Sequence, residues 1–167
     1  MTGVETGVPA LLLESFARNG RVNAAVLDSL SAADLALEDA PGGNSIGELL
    51  AHMAGFRLGW LENISPLHAE GLSKVEDDAD LDTLRIAFSA GDAAALKAVQ
   101  DALREGRAFD DPWKEGAYQS NPAHFLQHTI VHDSHHRGQV ATLLRQSGWT
   151  KERLEKLEEA TWPVWRV

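Results

Sequence analysis

Apolar positions recur at three- and four-residue intervals along most of the chain, and Val, Ile, Thr and aromatic residues nowhere alternate strictly with polar ones. That spacing predicts amphipathic helices and no strand. A first helix is expected to open at Pro9, where a missing N–H costs nothing, and to run to about Leu30. Leu12, Phe16, Val22, Val26, Leu27 and Leu30 form its inward stripe, with Gly20 as a weak point. Asp39-Ala-Pro-Gly-Gly-Asn44 is turn chemistry. Ser45-Ile-Gly-Glu48 then reads as a capping box that starts a second helix, extending to about Asn63. Ile46, Leu49, Leu50, Met53, Trp60 and Ile64 are its expected buried arc. After a polar connection over 65–80, a third helix starts near Leu81, breaks and restarts at Ser89-Ala-Gly-Asp92, and ends near Leu103. Residues 106–121 form a second long connection. Asn121 as N-cap and Pro122 at the first position open the fourth helix, which stops at Gly148. A short helix from Thr150 to about Ala160 precedes a tail containing Trp162 and Trp165. No repeat and no long linker interrupts this order, so residues 1–167 are expected to form one all-α domain of four main helices with a short C-terminal helix.

Composition sharpens the picture by exclusion. The 167 residues are 44% hydrophobic and 24% charged, a globular balance. The formal net charge of −10 argues against tracking a phosphate backbone, so no nucleic-acid partner is expected. No stretch approaches the roughly 20 apolar residues of a membrane helix, and the N-terminal stretch lacks the basic region of a leader. A cytoplasmic location is the expectation. The chain has seven histidines and no cysteine, which removes disulfides, thiolate zinc sites, iron–sulfur clusters and cysteine nucleophiles together.

Five of the seven histidines, His124, His128, His132, His135 and His136, fall within thirteen residues of the fourth helix. Histidines four apart stand one turn above each other, close enough to ligate one ion. Three such pairs exist: His124/His128, His128/His132 and His132/His136. Helix phase separates them. At about 100° per residue, Phe125, Leu143 and His136 lie within about 40° of His132. Thr129, Val140, Leu126 and Leu144 extend the same apolar arc, and Gln127, Ser134, Gly138 and Arg145 lie opposite. His132 and His136 therefore point inward, His128 sits at the edge, and His124 and His135 lie off it. Two readings stay open for the inward pair, hydrogen-bonded core histidines or a shared metal. His52, beside Leu49 and Phe56 on the second helix, is the remaining histidine in a well-capped helix. Gly55 and Gly59 next to it serve either close helix packing or room for a ligand. His68, beside Pro66, is expected to be solvated in its loop.

The run Leu126-Gln-His128-Thr-Ile-Val-His132-Asp-Ser-His135-His136-Arg137-Gly138-Gln139 resembles the signature helix of the DinB/YfiT-like family of metal-dependent enzymes. Ser45-Ile-Gly-Glu-Leu-Leu-Ala-His52-Met-Ala-Gly resembles that family's other hallmark, a histidine on the second helix. Val131 departs from the family pattern, which often has asparagine there. The resemblance implies an up-down four-helix bundle of DinB/YfiT type with an unusual helix order, often a homodimer. It also implies a divalent metal, zinc or nickel, held by His52, His132 and His136.

Three imidazoles leave a coordination position open, the arrangement of a catalytic site. The resemblance implies a thiol-dependent S-transferase or a related hydrolase acting on a small-molecule substrate. Without cysteine, any thiol must arrive as a low-molecular-weight cosubstrate. His128, Asp133, His135 and Gln139 are candidates to orient a ligand ring or relay a proton, although Asp133 equally fits a surface carboxylate. Arg137 fits a helix-end or interhelical ion pair better than an anion site. The competing reading is a non-enzymatic metal-binding stress-response protein. Trp162 and Trp165 fit a clamp onto the fourth helix, a cover over the open end of the bundle or a partner contact, and Trp113 and Tyr118 fit the entrance to the site.

Overall fold

The computed structural model describes residues 7–38 and 40–166, so the first residues of the N-terminal stretch, Asp39 of the predicted turn and Val167 of the tail lie outside it. Among the described residues six α-helices follow one another: α1 (Val8–Ser29), α2 (Ile46–Ile64), α3 (Pro66–Ala69), α4 (Leu81–Glu105), α5 (His124–Gln146) and α6 (Lys151–Thr161). Short 3₁₀ turns occupy Ala32–Ala36 and Trp162–Trp165. Two of the predicted boundary devices are present. The Ser45 hydroxyl accepts from the Glu48 amide at 3.1 Å, and the Glu48 carboxylate accepts from the Ser45 amide at 2.6 Å. Beyond α5, Gly148 takes φ +85° and the Trp149 amide donates to the Leu144 carbonyl at 3.2 Å, a Schellman closure that glycine makes inexpensive.

The start of α5 differs from expectation. Asn121 accepts from the Ala123 amide at 2.9 Å and so closes a tight turn through Pro122, and the α-helix proper begins at His124. His68 differs too. It lies on α3, its side chain only 7% exposed, held between Ser65 Oγ at 2.8 Å and Asp101 Oδ2 at 3.0 Å. The polar connection therefore carries a helical turn pinned to α4.

Two apolar clusters define how the long helices run. One gathers the end of α1 (Val26, Leu27, Leu30), the start of α2 (Ile46, Leu49, Leu50), the start of α4 (Leu84, Phe88) and the end of α5 (Val140, Leu143, Leu144). The other gathers Phe16 of α1, Leu61 and Ile64 of α2, Ala95, Ala98 and Val99 of α4, and Phe125 and Leu126 of α5. The helices therefore run up, down, down, up. Each of α1 and α2 packs against both α4 and α5, which sets α1 and α2 on one diagonal of the bundle. Because α2 and α4 point the same way, the 65–80 connection must return along a helix about 28 Å long.

A polar layer separates the clusters. α1 contributes Asn19 and Asn23, α2 contributes Arg57, α4 contributes Asp92, and α5 contributes Asp133 and Arg137. Arg57 and Asp133 are 0% exposed. The Arg57 guanidinium meets Asp133 through Nη1 at 2.8 Å and Nη2 at 2.6 Å, and Asp92 through Nε at 2.8 Å. Burial disfavours the charge on Arg57, but Asp92 and Asp133 outweigh it and hold its pKa above the ordinary value. Asp133 behaves likewise: burial raises its pKa, yet His132, Arg57 and Asn23 together hold it well below the carboxylate range. For Asp92 burial wins and the pKa rises.

This layer explains why α4 is continuous through Ser89-Ala-Gly-Asp92, where a break was expected. Gly91 is there for packing: a Cβ would stand 3.1 Å from Arg57 Cβ. Gly20 on α1 faces Asp92 in the same way, with a Cβ only 2.7 Å from Asp92 Oδ2. A helical Gly→Ala change ordinarily stabilises by about 1 kcal/mol. Gly138→Ala on α5, with nothing within 4 Å of its Cβ, is expected to show that gain in urea denaturation, whereas Gly20→Ala is expected to lose stability.

The C-terminal helix is tied down by Asp34. Its carboxylate accepts from Trp149 Nε1 at 2.8 Å, from Ser31 Oγ at 2.7 Å and from Arg153 Nη2 at 3.2 Å, while the Arg153 guanidinium covers the Trp149 ring at 3.7 Å. Burial raises the Asp34 pKa, but Ser31, Trp149 and Arg153 outweigh it and lower the pKa overall. Asp34→Asn is expected to cost about 2 kcal/mol near neutral pH. A folded-state pKa below the unfolded value gives stability that is present above about pH 4 and lost as the pH falls through the folded value. Wild type and variant should therefore converge in acid denaturation series below about pH 4.

Candidate metal centre

α2 and α5 run antiparallel at the level of the polar layer, and three histidines meet across their seam. His52 is exposed; His132 and His136 are half-buried. One ring nitrogen from each lies within 4.8 Å of the others. The closest approach is His132 Nε2 to His52 Nε2, at 3.0 Å. Phe56, one turn beyond His52, stacks on the His132 ring at 3.9 Å between centroids and fixes its plane.

The protons of the rings can be placed. His136 Nδ1 lies 2.6 Å from Gln139 Oε1, an acceptor, so Nδ1 carries the proton and Nε2 keeps its lone pair. His132 Nδ1 is buried without a hydrogen-bond partner, and Asp133 Oδ1 stands 3.7 Å away, beyond hydrogen-bond range. Facing a carboxylate, Nδ1 is better protonated, which leaves His132 Nε2 as a lone pair aimed at His52. Two imidazole nitrogens at that distance need a proton or a cation between them. Burial first, and the neighbouring His132 second, lower the pKa of His52. Burial also lowers that of His136, against the Gln139 hydrogen bond. Neutral rings of this tautomer are what a divalent cation takes as ligands, so the residues fit the metal that the resemblance implies.

A sequence profile of the DinB family matches residues 3–166, nearly the whole chain. The chain belongs to the DinB family. No curated protein and no solved structure matches it. Membership agrees with the all-helical bundle and with His52 of α2 facing His132 and His136 of α5.

The other expected residues of this DinB-family chain separate. Gln139 touches the cluster through His136. His135 is exposed and only edges the His136 ring, 4.9 Å between centroids. His128 is not one of the three clustered histidines; its Nδ1 lies 2.6 Å from the Tyr118 hydroxyl, with Trp60 and Phe56 against its ring. Asp133 is no surface carboxylate but the centre of the polar layer, accepting from Asn19 at 2.6 Å and Asn23 at 2.7 Å besides Arg57. His124 lies on the exposed face of α5, away from the cluster.

Arg137 makes no ion pair among the described residues. Its Nη1 donates instead to the amide oxygens of Asn19 at 2.7 Å and Asn23 at 2.6 Å. Trp60 leaves the predicted arc as well; it is half-buried among Trp113, Tyr118 and His128, and Arg57 and Leu61 hold the inward positions. Nothing lies within 4 Å of a Cβ built on Gly55 or Gly59, so these glycines do not serve close helix packing. They line an open cleft of about 590 Å³ that includes His52 and is walled by Trp60 and Trp113.

Sequence reasoning missed Asn19, Asn23, Arg57 and Asp92. Their signal was phase: each polar side chain sits on the apolar stripe of its own helix, Arg57 between Met53 and Leu61, Asn19 and Asn23 between Phe16 and Val26.

Proposed function

We propose that this DinB-family chain is a divalent-metal-dependent enzyme, a thiol-dependent S-transferase or a related hydrolase, with zinc or nickel held by His52, His132 and His136. The observation that carries the reading is the approach of His132 Nε2 to His52 Nε2 at 3.0 Å while His132 Nδ1 is buried without a partner. Three neutral nitrogen ligands leave a coordination position open, and a metal bound there lowers the pKa of a water or thiol enough to supply a nucleophile near neutral pH.

The protein's own residues prepare that position. Gln139 holds His136 in the tautomer that presents Nε2. Asp133 biases His132 the same way through its charge. Phe56 shields one face of the His132 ring from water. The cleft beside His52 supplies a place for a small-molecule substrate with aromatic walls at Trp60 and Trp113, which favours an enzyme over a metal store. A chain without cysteine requires a low-molecular-weight thiol as cosubstrate in the transferase version. The homodimeric state and the cytoplasmic location belong to this proposal. No helix among the described residues is long and apolar enough to cross a membrane.

Metal-free protein titrated with zinc, nickel and manganese is expected to take up about one ion per chain. Cobalt-substituted protein is expected to show a visible spectrum that shifts on adding a small thiol. Failure to bind any of the metals overturns the reading. Metal uptake with a spectrum that no thiol perturbs would move the assignment to the hydrolase.

A further inference from the structure

A second cavity lies on the face of α5 turned away from the histidines. It has a volume of about 480 Å³ and runs between α1, α5 and α6, closed at one end by the Trp162–Trp165 turn. Its walls are apolar, with Val22, Val26, Ile130, Leu154 and Trp162 among them, and Arg137 stands at its inner side. Pockets of this size and character are where small ligands bind.

Arg137 is unusual for a half-buried cation. Its Nη1 has two amide oxygens as partners, while Nε and Nη2 make no hydrogen bond to the described residues. Neither of those nitrogens is sealed from solvent. The other charged groups on the cavity wall, Arg145 and Glu158, face each other at 3.5 Å and largely offset one another. Arg137 thus lines an apolar cavity with one edge of its guanidinium unpaired, and carboxylates fit such an edge through two parallel hydrogen bonds.

We propose that this cavity binds a small organic carboxylate, its apolar body between α1 and α6 and its carboxylate on Nε and Nη2 of Arg137. The site is separate from the histidine cluster, so its occupancy does not require a bound metal. It is nevertheless linked to that cluster. Asn19 and Asn23 accept from Arg137 through their oxygens and donate to Asp133 through their nitrogens, and Asp133 adjoins His132.

The test is calorimetric titration of the whole chain, metal-free and zinc-loaded, with benzoate, phenylacetate and hexanoate, each beside its neutral amide. Each acid is expected to bind at least about tenfold more tightly than its amide, the worth of a charge-assisted pair. Arg137→Gln should erase that preference. Ala141→Phe, which fills the cavity from α5, should abolish binding while helicity and zinc uptake stay unchanged. Should Arg137→Gln fail to fold, the acid-to-amide ratio and Ala141→Phe decide. The proposal is overturned if no acid binds, if acid and amide bind equally, or if Ala141→Phe leaves binding intact. It is equally overturned if sedimentation shows a second copy of the chain filling the cavity and Ala141→Phe releases that copy.

Discussion

Asp133→Ala is expected to lower the stability of the fold by about 3–5 kcal/mol, enough to unfold much of a marginally stable domain. The carboxylate is 0% exposed and accepts from Arg57, Asn19 and Asn23 at once. Its removal leaves a wholly buried guanidinium with Asp92 as its remaining carboxylate and strands two amide donors. The size of the loss reflects what is left behind rather than the worth of the pair. Replacing both members by apolar residues, Arg57→Met with Asp133→Leu, should therefore recover most of it. Urea denaturation of the two single variants and the double variant checks this: a double variant as unstable as the sum of the singles would mean that the two charges do not act as a unit.

The second large effect concerns the metal. His132→Ala is expected to reduce zinc affinity more than about 100-fold, beyond the range seen when an outer partner of a ligand is lost. His132 faces His52 and stands between it and the polar layer, so no other described side chain can take its place in the cluster. Gln139→Ala removes only the acceptor that sets the His136 tautomer, and about 10–100-fold is expected there. Competition titrations against a chelator measure both, with circular dichroism as the control for folding. Equal effects at His132 and Gln139 would contradict the assignment of one as ligand and the other as its support.

Much of this was legible in the chain because its signals are local. The Ser45/Glu48 box and the Gly148 closure depend on residues within a few positions of each other. The inward phase of His132 and His136 follows from helical geometry and the apolar residues around them. The parts that stayed hidden depend on what another helix brings. Gly91 looked like a helix break because nothing nearby in sequence announces that Arg57 will pack against it. For Asp133 a surface position stayed open beside a role at the site because its four donor groups come from α1 and α2. His68 looked solvated because Asp101, thirty-three residues on, supplies its partner. The up, down, down, up course of the helices is of the same kind, since it rests on which ends share a cluster.

The polar layer has one more consequence. Four amphipathic helices with apolar stripes pack acceptably in more than one alignment, because leucine and valine side chains accept many neighbours. Charges do not. Sliding any one of α1, α2, α4 or α5 by a turn, about 5.4 Å, would carry its polar residue into one of the apolar clusters and leave Arg57 or Asp133 unmatched. Asn19, Asn23, Arg57, Asp92 and Asp133 thus work as a key cut across the bundle, and the single alignment that closes it is also the one that brings His52 opposite His132 and His136.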